Sequence, residues 1–128
     1  MEQKTPLVSI LVPCCNVEKY LHQCMDSILA QTYGNIEIIC LNDGSKDNTL
    51  AILKEYESKD SRVKVINKPN TGYGSTMNLG IDKAEGKYVA IIESDDYIEP
   101  TMMETLVNAA EKENLDLARC LYIERNEV

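Results

Sequence analysis

The strongest constraint on this chain is the regular alternation of short apolar runs with longer stretches whose apolar residues recur at helical spacing. Val8-Ser9-Ile10-Leu11-Val12 is an apolar run ended by Pro13 and reads as a buried strand. Tyr20, Leu21, Cys24, Ile28 and Leu29 then follow one face of a helix. Ile36-Glu37-Ile38-Ile39-Cys40-Leu41 reads as a second strand, stopped by Asn42-Asp43-Gly44-Ser45. Leu50, Ile52, Leu53 and Tyr56 mark a second helix, and Val63-Lys64-Val65-Ile66 a third strand. Met77, Ile81 and Ala84 share one helical face, with Gly86 where a helix stop belongs. Residues 88–92 read as a fourth strand, residues 117–123 as a fifth. Between them Met102, Met103, Leu106, Val107 and Ala110 form a fourth helical stripe. This alternation predicts an α/β fold, a mostly parallel sheet with helices on both faces, and 128 residues suit a single domain.

Composition removes several function classes. The net charge is −8, which argues against binding nucleic acid or an anionic membrane through a basic face. No apolar run approaches the ~20 residues of a membrane span, and the first six residues lack the apolar core of a signal peptide. The five cysteines have no Cys-x-x-Cys spacing; they read as reduced thiols in a cytoplasmic chain. His22 is the only histidine and falls at the edge of the first helical stripe, as a surface residue, so histidine-based nucleophilic catalysis has no support. Met77, Met102 and Met103 read as core filler.

In parallel sheets ligands bind beyond the carboxyl ends of the strands, which directs attention to the residues just after each run. Glu93-Ser94-Asp95-Asp96 places three carboxylates in four residues directly after the fourth strand. Like charges this close disfavour one another unless neutralised, and Mg²⁺ or Mn²⁺ does so while preferring carboxylate and phosphate oxygens. The competing reading is a turn and helix cap before Pro100. Asp43 follows the second strand, where its carboxylate can accept hydrogen bonds from a base edge or a ribose hydroxyl. Asp47 reads as a helix cap. Asn70-Thr71-Gly72-Tyr73-Gly74-Ser75-Thr76 is a glycine-containing loop whose amides could approach a pyrophosphate, or simply a turn and cap. P-loop and dinucleotide fingerprints are absent.

Five blocks together carry a resemblance. They are the run from Val8 through Pro13, Cys14, Cys15 and Asn16 to Leu21; Asp26-Ser27-Ile28-Leu29-Ala30-Gln31-Thr32-Tyr33; Asn42-Asp43-Gly44-Ser45-Lys46-Asp47; Met77-Asn78-Leu79-Gly80; and Glu93-Ser94-Asp95-Asp96-Tyr97-Ile98-Glu99-Pro100. In order and spacing this set resembles family 2 glycosyltransferases of the GT-A fold. The resemblance implies a Rossmann-like three-layer α/β/α sandwich. It also implies an inverting, metal-assisted transferase that moves a sugar from a nucleotide donor, commonly a UDP-sugar, to a glycan or lipid-linked acceptor hydroxyl. Pro13 and Asn16 then border the nucleotide pocket, and Asp43 matches the acid that reads the base. Asp95 matches the metal ligand of the DxD motif for Mn²⁺ or Mg²⁺. Glu93 and Asp96 flank it on the substrate side. Three positions depart from the family pattern: Glu93 for its first Asp, Cys15 for an aromatic and Met77 for an arginine.

Such domains continue past the fifth strand, so residues 1–128 are expected to be the donor-binding half, with the acceptor half missing and the general base beyond Val128. An uncovered edge would favour a homo-oligomer. The expected location is cytoplasmic or, for a longer protein, peripheral at the inner face of the membrane. The alternative is a non-enzymatic Mg²⁺-binding receiver-like signalling module, which wants a phospho-accepting Asp where Asn67 stands. A nucleotidyltransferase wants a Gly-rich basic loop where Pro13-Cys14-Cys15-Asn16 stands.

Overall fold

The apolar runs form four strands, β1 (Val8–Cys14), β2 (Ile36–Asp43), β3 (Val63–Lys68) and β4 (Tyr88–Ile91), in a computed structural model that describes residues 5–112. Four helices alternate with them: α1 (Glu18–Leu29), α2 (Thr49–Lys59), α3 (Tyr73–Lys83) and α4 (Met102–Lys112). The sheet order is β3-β2-β1-β4 and every pairing is parallel. Every residue of β1 and β2 is buried, as expected of central strands covered on both faces.

Strand alternation divides the core into two layers. Ile10, Val12, Ile38 and Cys40 face one way, against Leu21, Met25 and Ile28 of α1, Leu53 of α2, and Met103 and Val107 of α4. Leu11, Ile39 and Leu41 face the other way, against Met77 of α3. The three-layer α/β/α arrangement is therefore present.

The structure corrects the sequence reading in two places. The strands run further at their carboxyl ends than the apolar runs do, so Pro13, Asn42, Asp43, Asn67 and Lys68 belong to the ladder. Pro13 is tolerated for a reason of direction. The Leu11 carbonyl accepts the Ile92 amide at 3.0 Å, on the β4 side, and alternation points Pro13 the same way. Pairing with β4 ends at Leu11↔Ile91, so the missing N–H of Pro13 faces a side without a ladder. Ile81, expected on the buried face of α3, is 54% exposed. Gly80 seats that helix instead: a Cβ there would lie 3.0 Å from Leu11 Cδ1 and Leu41 Cδ1, so α3 approaches closely and turns Ile81 outward. The fifth strand, expected at 117–123, lies outside the described residues.

A polar pin holds the turn between α3 and β4, at the sheet end opposite the acidic residues. Ser9 Oγ donates to Glu37 Oε2 at 2.5 Å and accepts the Gly86 amide at 2.8 Å. Glu37 also accepts the Glu85 amide at 2.7 Å and Lys64 Nζ at 2.9 Å. Burial pushes the Glu37 carboxyl up, but the hydrogen bonds from Ser9, the Glu85 amide and Lys64 outweigh it and hold it below the ordinary glutamate range. Gly86 is required by close approach, because a Cβ there would stand 2.7 Å from the Leu7 carbonyl and the Ser9 amide.

Gly86→Ala should therefore cost about 1–3 kcal/mol, since backbone must move. Gly34→Ala meets nothing within 4 Å and should change stability by less than about 0.5 kcal/mol. Urea denaturation of the two variants checks the contrast; equal effects would show that the Gly86 contact is not limiting.

Candidate functional site

The carboxyl ends of β2 and β3 place polar residues opposite one another in register, Asn42 beside Asn67 and Asp43 beside Lys68. Asn42 Nδ2 donates to Asn67 Oδ1 at 2.8 Å, and Ser45 Oγ donates to Asn42 Oδ1 at 2.5 Å. Lys68 Nζ lies 2.7 Å from Asp43 Oδ1, with both side chains about one-tenth exposed (11% and 10%). The same ammonium reaches the Pro69 carbonyl at 3.0 Å, Thr71 Oγ1 at 2.5 Å and Thr76 Oγ1 at 3.1 Å. Asp43 also accepts the amides of Thr71 at 2.9 Å and Gly72 at 3.2 Å. Burial raises the Asp43 carboxyl, but the Lys68 ammonium and the two amides outweigh that and leave it below its ordinary range.

This network folds the glycine loop over the strand ends. Gly72, at φ 98°, precedes α3. Gly44 sits at φ 69°, and a Cβ there would lie 2.7 Å from the Asn70 amide nitrogen, so only glycine lets the two loops touch. Asn70 Nδ2 donates to the Asp43 carbonyl at 3.1 Å. The Thr71 and Gly72 amides, read above as candidates for a pyrophosphate, are instead committed to Asp43.

Two further loops are joined by exchanged caps. Asp47 accepts the Thr49 amide at 2.9 Å and the Glu18 amide at 3.3 Å, so it caps both α2 and α1. Glu18 in turn accepts the Asn48 amide at 3.3 Å. Asn16, at φ 55°, donates its amide to Ser45 Oγ at 3.0 Å and accepts the Lys46 amide at 2.7 Å.

After β4 the chain turns sharply. The Asp96 amide donates to the Glu93 carbonyl at 3.0 Å, closing a turn in which Ser94 is buried and Asp95 is exposed. Tyr73, the first residue of α3, donates its hydroxyl to Glu93 Oε2 at 2.8 Å and so links the glycine loop to the acidic turn. Between these walls lies a cleft of about 350 Å³. Pro13, Cys14, Cys15 and Val17 line it from the end of β1, and Asp43, Asn70, Gly72, Tyr73 and Thr76 from β2 and the glycine loop. Glu93, Ser94 and Asp95 close it from the acidic turn.

The cleft thus brings together Pro13, Asp43, Glu93 and Asp95. Asn16 and Asp96 lie outside its lining, Asn16 beside a neighbouring groove with Glu18, Lys19 and Tyr20. No group of three or more His, Cys, Asp or Glu side chains among the described residues is placed to hold a metal by itself. The donors that do face the cleft, Asp95 and Glu93, are hard carboxylate oxygens. They suit a Mg²⁺-like cation, which takes one or two carboxylates and completes its shell with phosphate and water. Cys14 does not fit as a thiolate ligand, because burial pushes its thiol up to about 12.

Sequence reasoning missed Lys68 and Tyr73. Lys68 becomes visible only once the β2–β3 register is known. Tyr73 was read as part of a loop, yet it opens a helix and spans to Glu93. Met77, in the position of the family's arginine, is buried against Leu11, Ile39 and Leu41 and serves the core.

Sequence and structure comparisons agree on the lineage. The chain is 40% identical over 121 residues to the uncharacterized glycosyltransferase EpsJ of Bacillus subtilis, covering 94% of this chain and 35% of that protein. It is 45% identical over 119 residues to the putative glycosyltransferase EpsH of the same organism, covering 93% and 34%. The crystal structure of S. aureus TarS 1–349 in complex with UDP-GlcNAc superposes with a TM-score of 0.78 at 30% identity, over 84% of this chain and 32% of that one. The chain therefore spans about a third of the length of these relatives and shares the GT-A fold of the solved neighbour. The profile of Glycosyl transferase family 2 matches residues 9–127, nearly the whole chain, and the protein belongs to that family.

Proposed function

We propose that this chain is the donor-binding part of an inverting glycosyltransferase that uses a UDP-sugar with Mn²⁺ or Mg²⁺. The observation that carries the reading is the cleft, in which Asp43 stands on one wall and Glu93 and Asp95 on the other. TarS, a structural neighbour at 30% identity, is described with UDP-GlcNAc, which supports a uridine donor.

The roles follow from the chemistry of each wall. A carboxylate offers about four acceptor directions. Lys68 and the Thr71 and Gly72 amides take three of those of Asp43, so one remains for a base N–H or a ribose hydroxyl. Pro13 and Cys15 shape the apolar side of the nucleoside pocket. Asn16 supports it from outside by tying the first loop to Lys46. Asp95 faces the cleft where the diphosphate would lie, with Glu93 beside it. A cation held by Asp95, when bound, supplies counter-charge to the leaving diphosphate. The acceptor hydroxyl of a glycan or lipid-linked sugar then displaces it in line at the anomeric carbon, losing its proton to a carboxylate base. No helix among the described residues is long and apolar enough to cross a membrane, and the cytoplasmic location remains part of this proposal.

Calorimetry with UDP tests the reading. Chelation of Mn²⁺ should weaken UDP binding, and Asp95→Asn should weaken it roughly tenfold in Mn²⁺, against less than about threefold for Asp96→Asn, as expected when a charged partner is lost. Equal affinity after chelation, or equal effects of the two changes, would remove the cation assignment.

Asp43→Ala should weaken uridine binding with or without Mn²⁺; a loss seen only with metal would move Asp43 to the cation. The folded carboxyl of Asp43 is depressed, so its contribution is present above the ordinary aspartate range and is lost as pH falls through and below it. Because the folded carboxyl is the one that meets uridine, affinity should stay level on acidification through the ordinary aspartate range and drop only below it.

Tyr73→Phe keeps the ring and removes the bond to Glu93. It should weaken UDP binding by about three- to tenfold, the usual scale for one net hydrogen bond. In a Glu93→Ala background the same change should have almost no effect. An undiminished effect there would show that Tyr73 acts without Glu93.

A further inference from the structure

We propose that Ser27 and Gln31 are positioning residues: they set the path of the acidic segment 93–100 from behind and so aim Asp95 into the cleft. The proposal rests on the reading of Asp95 as the carboxylate on the diphosphate side. The block from Asp26 to Tyr33 carries part of the family resemblance, yet none of its residues lines the cleft.

The need for such support comes from the backbone. Residues 93–101 form neither helix nor strand, so their buried N–H and C=O groups have no ladder and must find partners elsewhere. They find them along α1 and just past its end. Cys24 Sγ donates to the Glu93 carbonyl at 3.6 Å. Ser27 Oγ accepts the Ile98 amide at 3.1 Å and donates to the Cys24 carbonyl at 2.8 Å. Gln31, only 7% exposed, donates to the Glu99 carbonyl at 2.6 Å and to the Ser27 carbonyl at 3.1 Å. Its Oε1 accepts the Met103 amide at 2.9 Å, which satisfies the first turn of α4. The Thr32 amide donates to the Pro100 carbonyl at 2.9 Å.

The order of these contacts matters. Positions 24, 27, 31 and 32 engage positions 93, 98, 99 and 100 in sequence, so α1 and the residues just past its end support the whole segment. Asp95 stands between the first two attachments, at the exposed corner of the turn. Neither Ser27 nor Gln31 touches Asp95; each acts through the backbone on either side of it. Gln31 carries the larger share. A buried amide with both ends engaged fixes its partners strongly, and removing it takes the side-chain acceptor from the Met103 amide and one donor from the Glu99 carbonyl, which keeps the Met102 amide at 3.1 Å.

The test uses Gln31→Leu, close in volume but unable to hydrogen-bond, and Ser27→Ala. Three quantities are read: binding of UDP in saturating Mn²⁺, binding of uridine alone, and amide hydrogen exchange along the chain. The expected result is a loss of UDP affinity of roughly tenfold for Gln31→Leu and about threefold for Ser27→Ala, the scale of one or two buried hydrogen bonds. Uridine affinity should be unchanged, and exchange should speed up in residues 93–103 but not in β2. A structural role alone would lower uridine and UDP binding by the same factor, and that result, or unchanged exchange in 93–103, overturns the proposal. If the wild-type chain binds no UDP, the donor reading falls, and the exchange pattern alone decides whether these residues hold the segment. If Gln31→Leu does not fold, Ser27→Ala decides on the same criteria.

Discussion

A part-buried ammonium and a buried carboxylate, facing each other across the ends of β2 and β3, organise this molecule's functional edge. Taking both Lys68 and Asp43 out of water is costly, and their mutual attraction offsets that only when the remaining donors and acceptors are met. Here they are met from four directions. Lys68 reaches Asp43, the Pro69 carbonyl and two threonine hydroxyls, while Asp43 takes two loop amides. One of those threonines is in α3, so the pair locks strand, loop and helix together. Loss of either partner leaves the other charge without its counter-ion and loosens this edge.

Much of this fold is legible in the sequence, because buried parallel strands leave long apolar runs and their helices leave a 3.6-residue period. The element order, the helices and the two-faced sheet follow directly. What the pattern hides is where pairing continues after the apolar residues stop. Asn42, Asp43 and Lys68 look like loop residues because they are polar, yet their backbones remain in the ladder. Ile81 misleads for the opposite reason: it is apolar and in phase, but Gly80 sets the helix rotation. At the site, the carboxylates announce themselves by type and spacing. Their partners do not, since Lys68 lies 25 residues from Asp43 and Tyr73 lies 20 from Glu93.

The acidic turn is held from two sides by unlike means. Behind it, α1 and the residues after it supply backbone partners in a part-buried interface. In front, a single exposed tyrosine reaches the Glu93 side chain. Glutamate in place of the family's aspartate makes sense in this setting, because the longer side chain meets Tyr73 across the cleft. The two supports differ in solvent access, so ligand entry can disturb the front contact while the rear ones persist.

Pro13 has a consequence for the architecture as a whole. A residue with an N–H at that position could extend the pairing of β1 toward β4 by another rung. With proline there the seam has no donor to offer, and the chain after β4 is released from the sheet at Ile92. Two adjacent strands that run together from Val8 and Tyr88 part company at this point, one continuing along β2 and the other bending away toward α1. The opening is in effect a fork in the sheet, and an imino acid fixes where it splits.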